Sequence, residues 1–225
     1  MLVVVALLGI LAAKSGGFGA AGSAAPGPAP DRAGDAERAP SLARRMPDDP
    51  MALGEVDAPV VMVMWSDFQC PFCGRFARET EPELIRRYVD EGVLRIEWRD
   101  FPYIGPESLP AAVAGRAAAA QGRFWEFGEV VYGQERRPRS SEYDAAHLRA
   151  YAEKAGLDLA RYDADVAAQK GMAEVQADLA EATELGVTGT PAFLVNGSPI
   201  IGAQPLESFV SVIEQAAAEA GRPLS

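Results

Sequence analysis

The chain has 225 residues, of which 32 are acidic and 21 basic, and its net charge is −11. This acidic balance argues against nucleic acid or an anionic membrane surface as the main partner, because both repel negative charge. Without its N-terminal region the chain keeps roughly 175 residues, which is enough for one well-buried core.

The N-terminal region predicts an export signal followed by a tether. Residues 2–13 are almost wholly apolar and precede Lys14, and a run this short fits a signal-peptide core better than a bilayer span. The positive residues expected before such a core are missing. Residues 1–14 are therefore either a truncated membrane anchor or an atypical secretion signal, and both place the protein outside the cytoplasm. Residues 15–50 are rich in Gly, Ala, Pro and charge and predict a disordered linker.

The pattern from residue 51 onward is that of a folded domain, which we expect to cover residues 51–225. Residues 51–53 predict a short edge strand. Residues 60–65 are apolar at every position and predict a central strand that is buried on both faces. Residues 93–101 alternate and predict another strand, which Pro102 ends.

Helices are predicted for most of the remaining domain. Residues 74–88 have helical spacing, and Pro82 within them predicts a kink or a break. An Ala-rich stretch predicts an all-helical block at about residues 106–185, with Phe124, Trp125 and Phe127 in its core. Residues 192–201 predict a hairpin around Asn-Gly, and residues 205–220 predict the last helix.

The motif Cys70-Pro-Phe-Cys73 holds the only two cysteines of the chain and lies between the central strand and a helix. The first N–H groups of a helix are unpaired and carry partial positive charge, so we expect the pKa of Cys70 to fall below the ordinary value of about 8.5. Pro71 suits the first helical position because it has no N–H. Cys73 lies about one turn later on the same face. We interpret Cys70 as the sulfur that attacks or is attacked, and Cys73 as the one that resolves the mixed disulfide.

Three simpler interpretations of the two cysteines compete with the redox one. A structural zinc site usually needs four ligands, whereas the only histidine, His147, is far away in sequence. A purely structural disulfide with so short a loop gains little stability. Two reduced core cysteines fit poorly with a protein outside the cytosol. The redox interpretation is therefore favoured.

A second motif precedes the predicted hairpin, where residues 186–191 read Gly-Val-Thr-Gly-Thr-Pro. Only about 5–6% of X-Pro bonds are cis, so a trans turn proline is the default. The order of strand, Cys-x-x-Cys, helix, strand, insertion and Thr-Pro before a hairpin reverses this default. We predict that the Thr190–Pro191 bond is cis and that this turn packs against the Cys70–Cys73 disulfide.

Both motifs together resemble a known family. Residues 65–73, Trp-Ser-Asp-Phe-Gln-Cys-Pro-Phe-Cys, and residues 186–197 are similar to the DsbA-like thiol:disulfide oxidoreductases, in particular to the membrane-tethered or secreted forms of Gram-positive bacteria. The resemblance covers about residues 51–221. It implies an α/β fold, namely a thioredoxin fold with an inserted all-helical domain.

The resemblance also implies roles for individual residues. Cys70 would be the exposed nucleophile and Cys73 the buried resolving cysteine. Thr190 and Pro191 would form a cis turn that faces the substrate, and Phe72 would contact the substrate beside it.

Three positions qualify this resemblance. Phe72 stands where the best-known strongly oxidising members have His, and because it cannot donate to the Cys70 thiolate, a weaker oxidant is expected. Met64 stands where many relatives bury an acid. Asp67 is the nearest carboxylate; it is either a proton acceptor for Cys73 or a loop and capping residue, and the turn preference of Asp favours the second role.

The sequence thus predicts an enzyme that introduces disulfides into unfolded, newly exported proteins. It would be a monomer without metal or organic cofactor, and a membrane oxidase would reoxidise it. Two alternatives stay open. One is a reductase or isomerase on the same fold. The other is a non-catalytic tethered binding or chaperone module, which a Cys70→Ser substitution would leave intact.

Overall fold

A computed structural model describes residues 42–133 and 141–223. The predicted anchor over residues 1–14 and most of the predicted linker lie outside this part. Five strands form one mixed sheet in the order β1-β3-β2-β4-β5. The strands are β1 (Ala52–Leu53), β2 (Val60–Ser66), β3 (Leu94–Asp100), β4 (Ala192–Val195) and β5 (Ser198–Ile201). The α-helices are α1 (Pro71–Glu79), α2 (Glu81–Leu84), α3 (Ser108–Ala119), α4 (Phe124–Tyr132), α5 (Ala145–Lys154), α6 (Leu159–Ala167), α7 (Met172–Glu184) and α8 (Leu206–Glu219).

The central strand is where the sequence places it. β2 pairs in parallel with β3 and antiparallel with β4, and all of its residues are buried. β1 pairs antiparallel with β3 at one edge, as predicted. None of the helices in the described ranges is long and apolar enough to cross a membrane.

The helix that follows the cysteines is interrupted, as Pro82 predicts. α1 ends at Glu79, α2 begins after Thr80, and a π-helical turn (Ile85–Val89) follows. Proline has no N–H and its ring clashes with the carbonyl four residues earlier, so one continuous helix cannot form.

The predicted helical block contains α3 to α7, between β3 and the hairpin. Phe124 and Phe127 are buried in it, as expected, while Trp125 is half-buried. The hairpin of β4 and β5 turns at Asn196 and Gly197, which both have positive φ, as a two-residue hairpin turn requires. The block and the hairpin therefore agree with the sequence analysis. The last helix starts one residue later than predicted, because Pro205 is its N-cap.

The predicted linker boundary is wrong for residues 42–50, because part of this segment is bonded to the sheet. The main-chain amides of Arg44 and Arg45 donate to the Glu97 carboxylate at 2.9 and 2.8 Å. Glu97 lies in β3 and is fully buried. A buried carboxylate needs partners, and the segment supplies them.

Three charged side chains alternate along strand β3, and all of them are buried. Arg95 and Arg99 bind Glu97 at 3.0 and 2.9 Å, and all three are buried. Burial alone would raise the pKa of Glu97, but the two amides and the two guanidinium groups outweigh it and hold the pKa below its ordinary value. Alternation therefore predicted the strand correctly but did not reveal that its charged face is covered.

Candidate active site

Cys70 is the N-cap of α1, with Pro71 in the first helical position. The sulfur of Cys70 accepts a hydrogen bond from the main-chain N–H of Cys73 at 3.4 Å. This is the geometry that the sequence predicts for a thiolate at a helix start.

The pKa of Cys70 is lowered to about 6. The largest cause is a hydrogen bond from the Cys73 thiol. Burial works in the opposite direction, and the Thr190 side chain and the amides of Cys73 and Phe72 add to the lowering. The direction agrees with the expectation from the helix start, but the neighbouring thiol contributes more than the unpaired amides.

Cys70 is more enclosed than the resemblance implies. Only 3% of the residue is exposed, so it is not an exposed nucleophile in this structure. Its thiol donates to the carbonyl oxygen of Thr190 at 3.2 Å. The loop before β4 therefore reaches the cysteine and helps to bury it.

The Thr190–Pro191 bond is cis, as predicted. Both cysteines are free thiols, so the loop is in contact with the Cys70 thiol and not with a disulfide. The Thr190 hydroxyl is buried and has no hydrogen-bond partner within residues 42–133 and 141–223. It lies close enough to Cys70 to lower the pKa of that thiol.

Cys73 is buried, with 2% of its surface exposed. Burial is the main reason why the pKa of Cys73 lies well above its ordinary value, and the neighbouring Cys70 adds to the rise. The Ser66 side chain and the main-chain amide of Asp67 form hydrogen bonds that lower this pKa. The two cysteines thus differ strongly in acidity, with Cys70 the acidic one.

The Asp67 carboxylate has the loop role that the turn preference of Asp favours. It accepts hydrogen bonds from the amides of Gln69, Tyr103 and Ile104, each at 2.8 Å. These bonds join the loop before α1 to the loop after β3. The part of Asp67 that bonds to Cys73 is its main-chain amide. This does not support the Asp67 carboxylate as the proton acceptor for Cys73.

Phe72 and Met64 have opposite surroundings. The Phe72 side chain is exposed at 56%, and the Arg75 guanidinium lies 5.3 Å from its ring centroid. Arg75 also donates to the carbonyl of Ala203 at 2.8 Å, which joins α1 to the segment after β5. Met64 is buried and lines a cavity.

This cavity, of about 570 Å³, lies between α1, α2 and α4 and reaches Cys73. Its lining is mostly aromatic and aliphatic, with Tyr132 beside the cysteine. Glu81 and Glu129 also line it. Burial, and to a lesser extent the charge of Glu129, raise the pKa of Glu81 to about 8.

Sequence reasoning missed two residues next to Cys73, namely Ser66 and Tyr132. Ser66 is the last residue of β2, and Tyr132 ends α4, 66 positions later. Strand alternation places Ser66 on the same face as Met64, which was the available signal. Nothing in the sequence pattern identified Tyr132.

Comparison with known proteins agrees with this geometry. The Thioredoxin family model matches residues 47–215. The "Probable disulfide bond formation protein D" of Bacillus anthracis is 32% identical over 152 residues, which cover 65% of this chain and 70% of that protein. The Na(+)/H(+) antiporter NhaA 3 of Salinispora tropica is 34% identical over 176 residues, 77% of this chain but 26% of that protein. The chain thus spans about a quarter of the length of the antiporter relatives that it matches.

Solved structures show the same fold. BdbD from Bacillus subtilis superposes with a TM-score of 0.70 at 20% identity, covering 75% of this chain and 92% of that one. A thioredoxin-like oxidoreductase from Silicibacter pomeroyi superposes with a TM-score of 0.66 at 26% identity, covering 77% and 94%. A thioredoxin fold with an inserted helical block and a Cys-x-x-Cys pair at a helix start defines a thioredoxin-like protein. The chain belongs to the thioredoxin family, and within it to the DsbA-like thiol–disulfide oxidoreductases.

Proposed function

We propose that this protein introduces disulfides into exported proteins, outside the cytoplasm, by exchange through Cys70 and Cys73. The observation that carries this function is the place of Cys70 at the N-cap of α1, where the main-chain N–H of Cys73 donates to its sulfur at 3.4 Å and where its pKa is lowered to about 6. A stabilised thiolate stabilises the reduced protein, so the disulfide form is driven to oxidise its substrates.

The reaction has two exchange steps. A substrate thiolate attacks the sulfur of Cys70, a substrate–Cys70 bond forms, the Cys70–Cys73 bond breaks, and its electron pair goes to Cys73. A second substrate thiolate then attacks the substrate sulfur of the mixed disulfide and releases Cys70 as a thiolate. A thiol of low pKa is a good leaving group, so this second step is favoured by the surroundings of Cys70. The substrate is oxidised to a disulfide and the protein keeps both electrons as a dithiol.

The substrate would bind beside the cis turn. Thr190, which precedes Pro191, contacts Cys70, and Phe72, two positions after Cys70, offers an exposed apolar surface. The carbonyl of Pro191 already accepts the amide of Gly202 at 2.9 Å, so an extended substrate would pair with the backbone at residues 188–190. Extended chains commonly bind by adding main-chain hydrogen bonds of this kind.

The proposed function also implies a partner and a location for the protein. The dithiol must pass its electrons to a reoxidant, for which we propose a membrane oxidase, and no metal or organic cofactor takes part in the exchange. One structural neighbour is named a periplasmic thioredoxin-like protein, from Salmonella enterica serovar Typhimurium, which supports a place outside the cytoplasm. Sodium–proton transport is not proposed, because the match covers only about a quarter of the antiporters.

A redox titration of the full chain against glutathione tests the direction of exchange. We expect a potential well above the value of about −270 mV that thioredoxin has. The same protein should oxidise a reduced, unfolded substrate, and Cys70→Ser should abolish this oxidation. His147→Ala is the matched control, because His147 is exposed on α5. A potential near that of thioredoxin would indicate a reductase. A wild-type chain that binds the unfolded substrate without oxidising it, and a Cys70→Ser variant that binds it equally well, would indicate a binding module.

A further inference from the structure

The buried cysteine has a hydroxyl neighbour that the exchange reaction has not yet used. Ser66 ends β2 and is 2% exposed. Its side chain is one of the groups that hold the pKa of the Cys73 thiol down, so its hydroxyl lies close to that sulfur. The Ser66 hydroxyl has one proton to donate. The acceptor of that proton can differ between the disulfide and the dithiol state of Cys70 and Cys73.

Tyr132 provides the other possible acceptor for that proton. The phenol oxygen of Tyr132 lies 3.3 Å from Ser66 Oγ. It also donates its own proton to the carbonyl oxygen of Asp67 at 2.9 Å. Because a phenol has a single proton, Tyr132 can then only accept from Ser66. The proton of Ser66 therefore has two acceptors, the phenol oxygen and the sulfur of Cys73.

Tyr132 is held firmly enough to keep this geometry. Its main-chain carbonyl accepts a hydrogen bond from Arg78 at 2.8 Å. Its ring lies 5.6 Å from the ring of Phe68, and a Cβ on Gly74 would stand 3.3 Å from the Tyr132 ring. The end of α4 is thus packed against the start of α1, and the two hydroxyls are fixed beside the cysteine.

We propose that Ser66 is a catalytic residue whose hydroxyl turns from Tyr132 to Cys73 when the Cys70–Cys73 bond opens, and stabilises the departing Cys73 thiolate. This role rests on the proposed function. As the substrate sulfur bonds to Cys70, the electron pair of the broken bond reaches Cys73, and Ser66 donates to it together with the Asp67 amide. The proton that Cys73 finally takes up comes from the solvent. In reverse, the same bond stabilises Cys73 as the attacking thiolate that resolves a mixed disulfide.

The acidity of Cys73 tests this role without any substrate. In a Cys70→Ala background, Ser66→Ala should raise the pKa of Cys73 by about one unit, since a hydrogen bond to a charged group is lost. Tyr132→Phe should lower it, because the serine proton then has no competing acceptor. The thiolate is followed by its ultraviolet absorbance against pH. Ser211→Ala, at an exposed position of α8, is the control and should change nothing.

A rate measurement provides the second readout. With Cys70 held in a mixed disulfide with glutathione, Ser66→Ala should slow the attack by Cys73 about threefold, because a tenfold smaller thiolate fraction is partly offset by the higher nucleophilicity of the more basic thiolate. The role of Ser66 would be overturned if the Cys73 pKa were unchanged in Ser66→Ala. It would also be overturned if the Cys73 pKa rose in both Ser66→Ala and Tyr132→Phe. If Ser66→Ala fails to fold, Tyr132→Phe decides, because a fall supports the role and any other result rejects it. If the acidity shifts occur but the wild-type chain does not oxidise proteins, only the proposed function fails.

Discussion

The sulfur of Cys70 lies 3.2 Å from the carbonyl oxygen of Thr190, although 120 positions separate the two residues in the chain. The carbonyl accepts the thiol proton, but it offers nothing to a thiolate. The hydroxyl of the same residue is buried without a partner within the described ranges and can donate once the thiol ionises. Thr190 can therefore bond to Cys70 in both protonation states, through its carbonyl oxygen to the thiol and through its hydroxyl to the thiolate.

Thr190→Val removes the donor and keeps the carbonyl. We expect the pKa of Cys70 to rise by about one unit and the potential to become less oxidising by up to about 30 mV. The measurements are the pH dependence of alkylation and a glutathione titration. The matched control is Thr183→Val, because that hydroxyl is exposed and donates to Leu179 within α7. An unchanged alkylation profile in Thr190→Val would contradict the donor role.

The reactivity of Cys70 should follow pH in a defined window. Alkylation of the reduced protein should reach half its maximum near pH 6. Cys73→Ala should move this midpoint upward, because it removes the strongest hydrogen bond to the thiolate. A midpoint near the ordinary thiol value in the wild type would refute the picture of an activated sulfur.

The same shift predicts how stability depends on pH. The folded-state pKa of Cys70 is depressed, so its contribution is fully present above the unfolded value of about 8.5 and is lost as pH falls through about 6. Urea unfolding of the reduced protein should therefore show a stability gain over Cys70→Ala that grows from pH 6 to pH 8. A difference that stays constant over this range would rule out the linkage.

Asp67→Asn separates a loop role from a proton-transfer role. The amide group would bring N–H donors toward main-chain N–H groups, so we expect a loss of about 2 kcal/mol in the free energy of unfolding. The pKa of Cys73 should stay the same, because its bond is to the Asp67 main chain. Asp163→Asn, on the exposed surface of α6, is the control. A lowered Cys73 pKa with normal stability would instead favour the proton-acceptor hypothesis, because a carboxylate close enough to take the proton also disfavours the thiolate.

The segment at residues 42–50 should be needed for stability. A chain that starts at residue 51 loses both amides that bind Glu97 and also Arg44, which binds the buried Asp178 at 2.7 Å. Glu97 keeps Arg95 and Arg99 as partners, but each lost hydrogen bond to a charged group costs about 1.5–3 kcal/mol, so we expect a total loss of about 3–5 kcal/mol. Thermal or urea unfolding of chains that start at residues 42 and 51 measures the difference. Equal stability would show that the segment is only a tether.

Glu81 should destabilise the protein as pH rises. The folded-state pKa of about 8 lies above the ordinary value of 4.5, so ionisation increasingly favours the unfolded chain as pH rises between these values. Glu81→Gln should be more stable than the wild type by several kcal/mol at pH 8, and the two should become equal below pH 4. Glu126→Gln, exposed at the side of α4 in an ion pair with Arg123, is the control. Equal stability of Glu81→Gln and the wild type at pH 8 would contradict the raised pKa.

The sequence predicted the parts of the fold that local chemistry determines. Apolar residues at every position identified β2 as central, Pro82 marked the break after α1, and Asn196 with Gly197 defined the hairpin. The Cys-Pro-Phe-Cys motif and Thr190–Pro191 could be linked because each has a recognisable local pattern. Such signals depend on neighbouring residues and can be read along the chain.

The parts that were missed depend on contacts between distant residues. From the sequence alone, Glu97 has the pattern of a solvent-facing strand residue, but residues 42–46 cover it in the structure. The composition of those residues had placed them in a linker. Tyr132 is one aromatic residue among several in the helical block. Only the packing of α4 against α1 brings its hydroxyl to Ser66, which no periodicity reveals.

The enclosure of Cys70 has a consequence for which substrates the proposed exchange would accept. Because 3% of the residue is accessible, an incoming thiol would have to be carried on a narrow, extended segment of polypeptide. A cysteine fixed on the convex surface of a folded globular protein would not approach closely enough. If the protein exchanges disulfides as we propose, the depth of this sulfur atom would favour chains that have not finished folding over those that have.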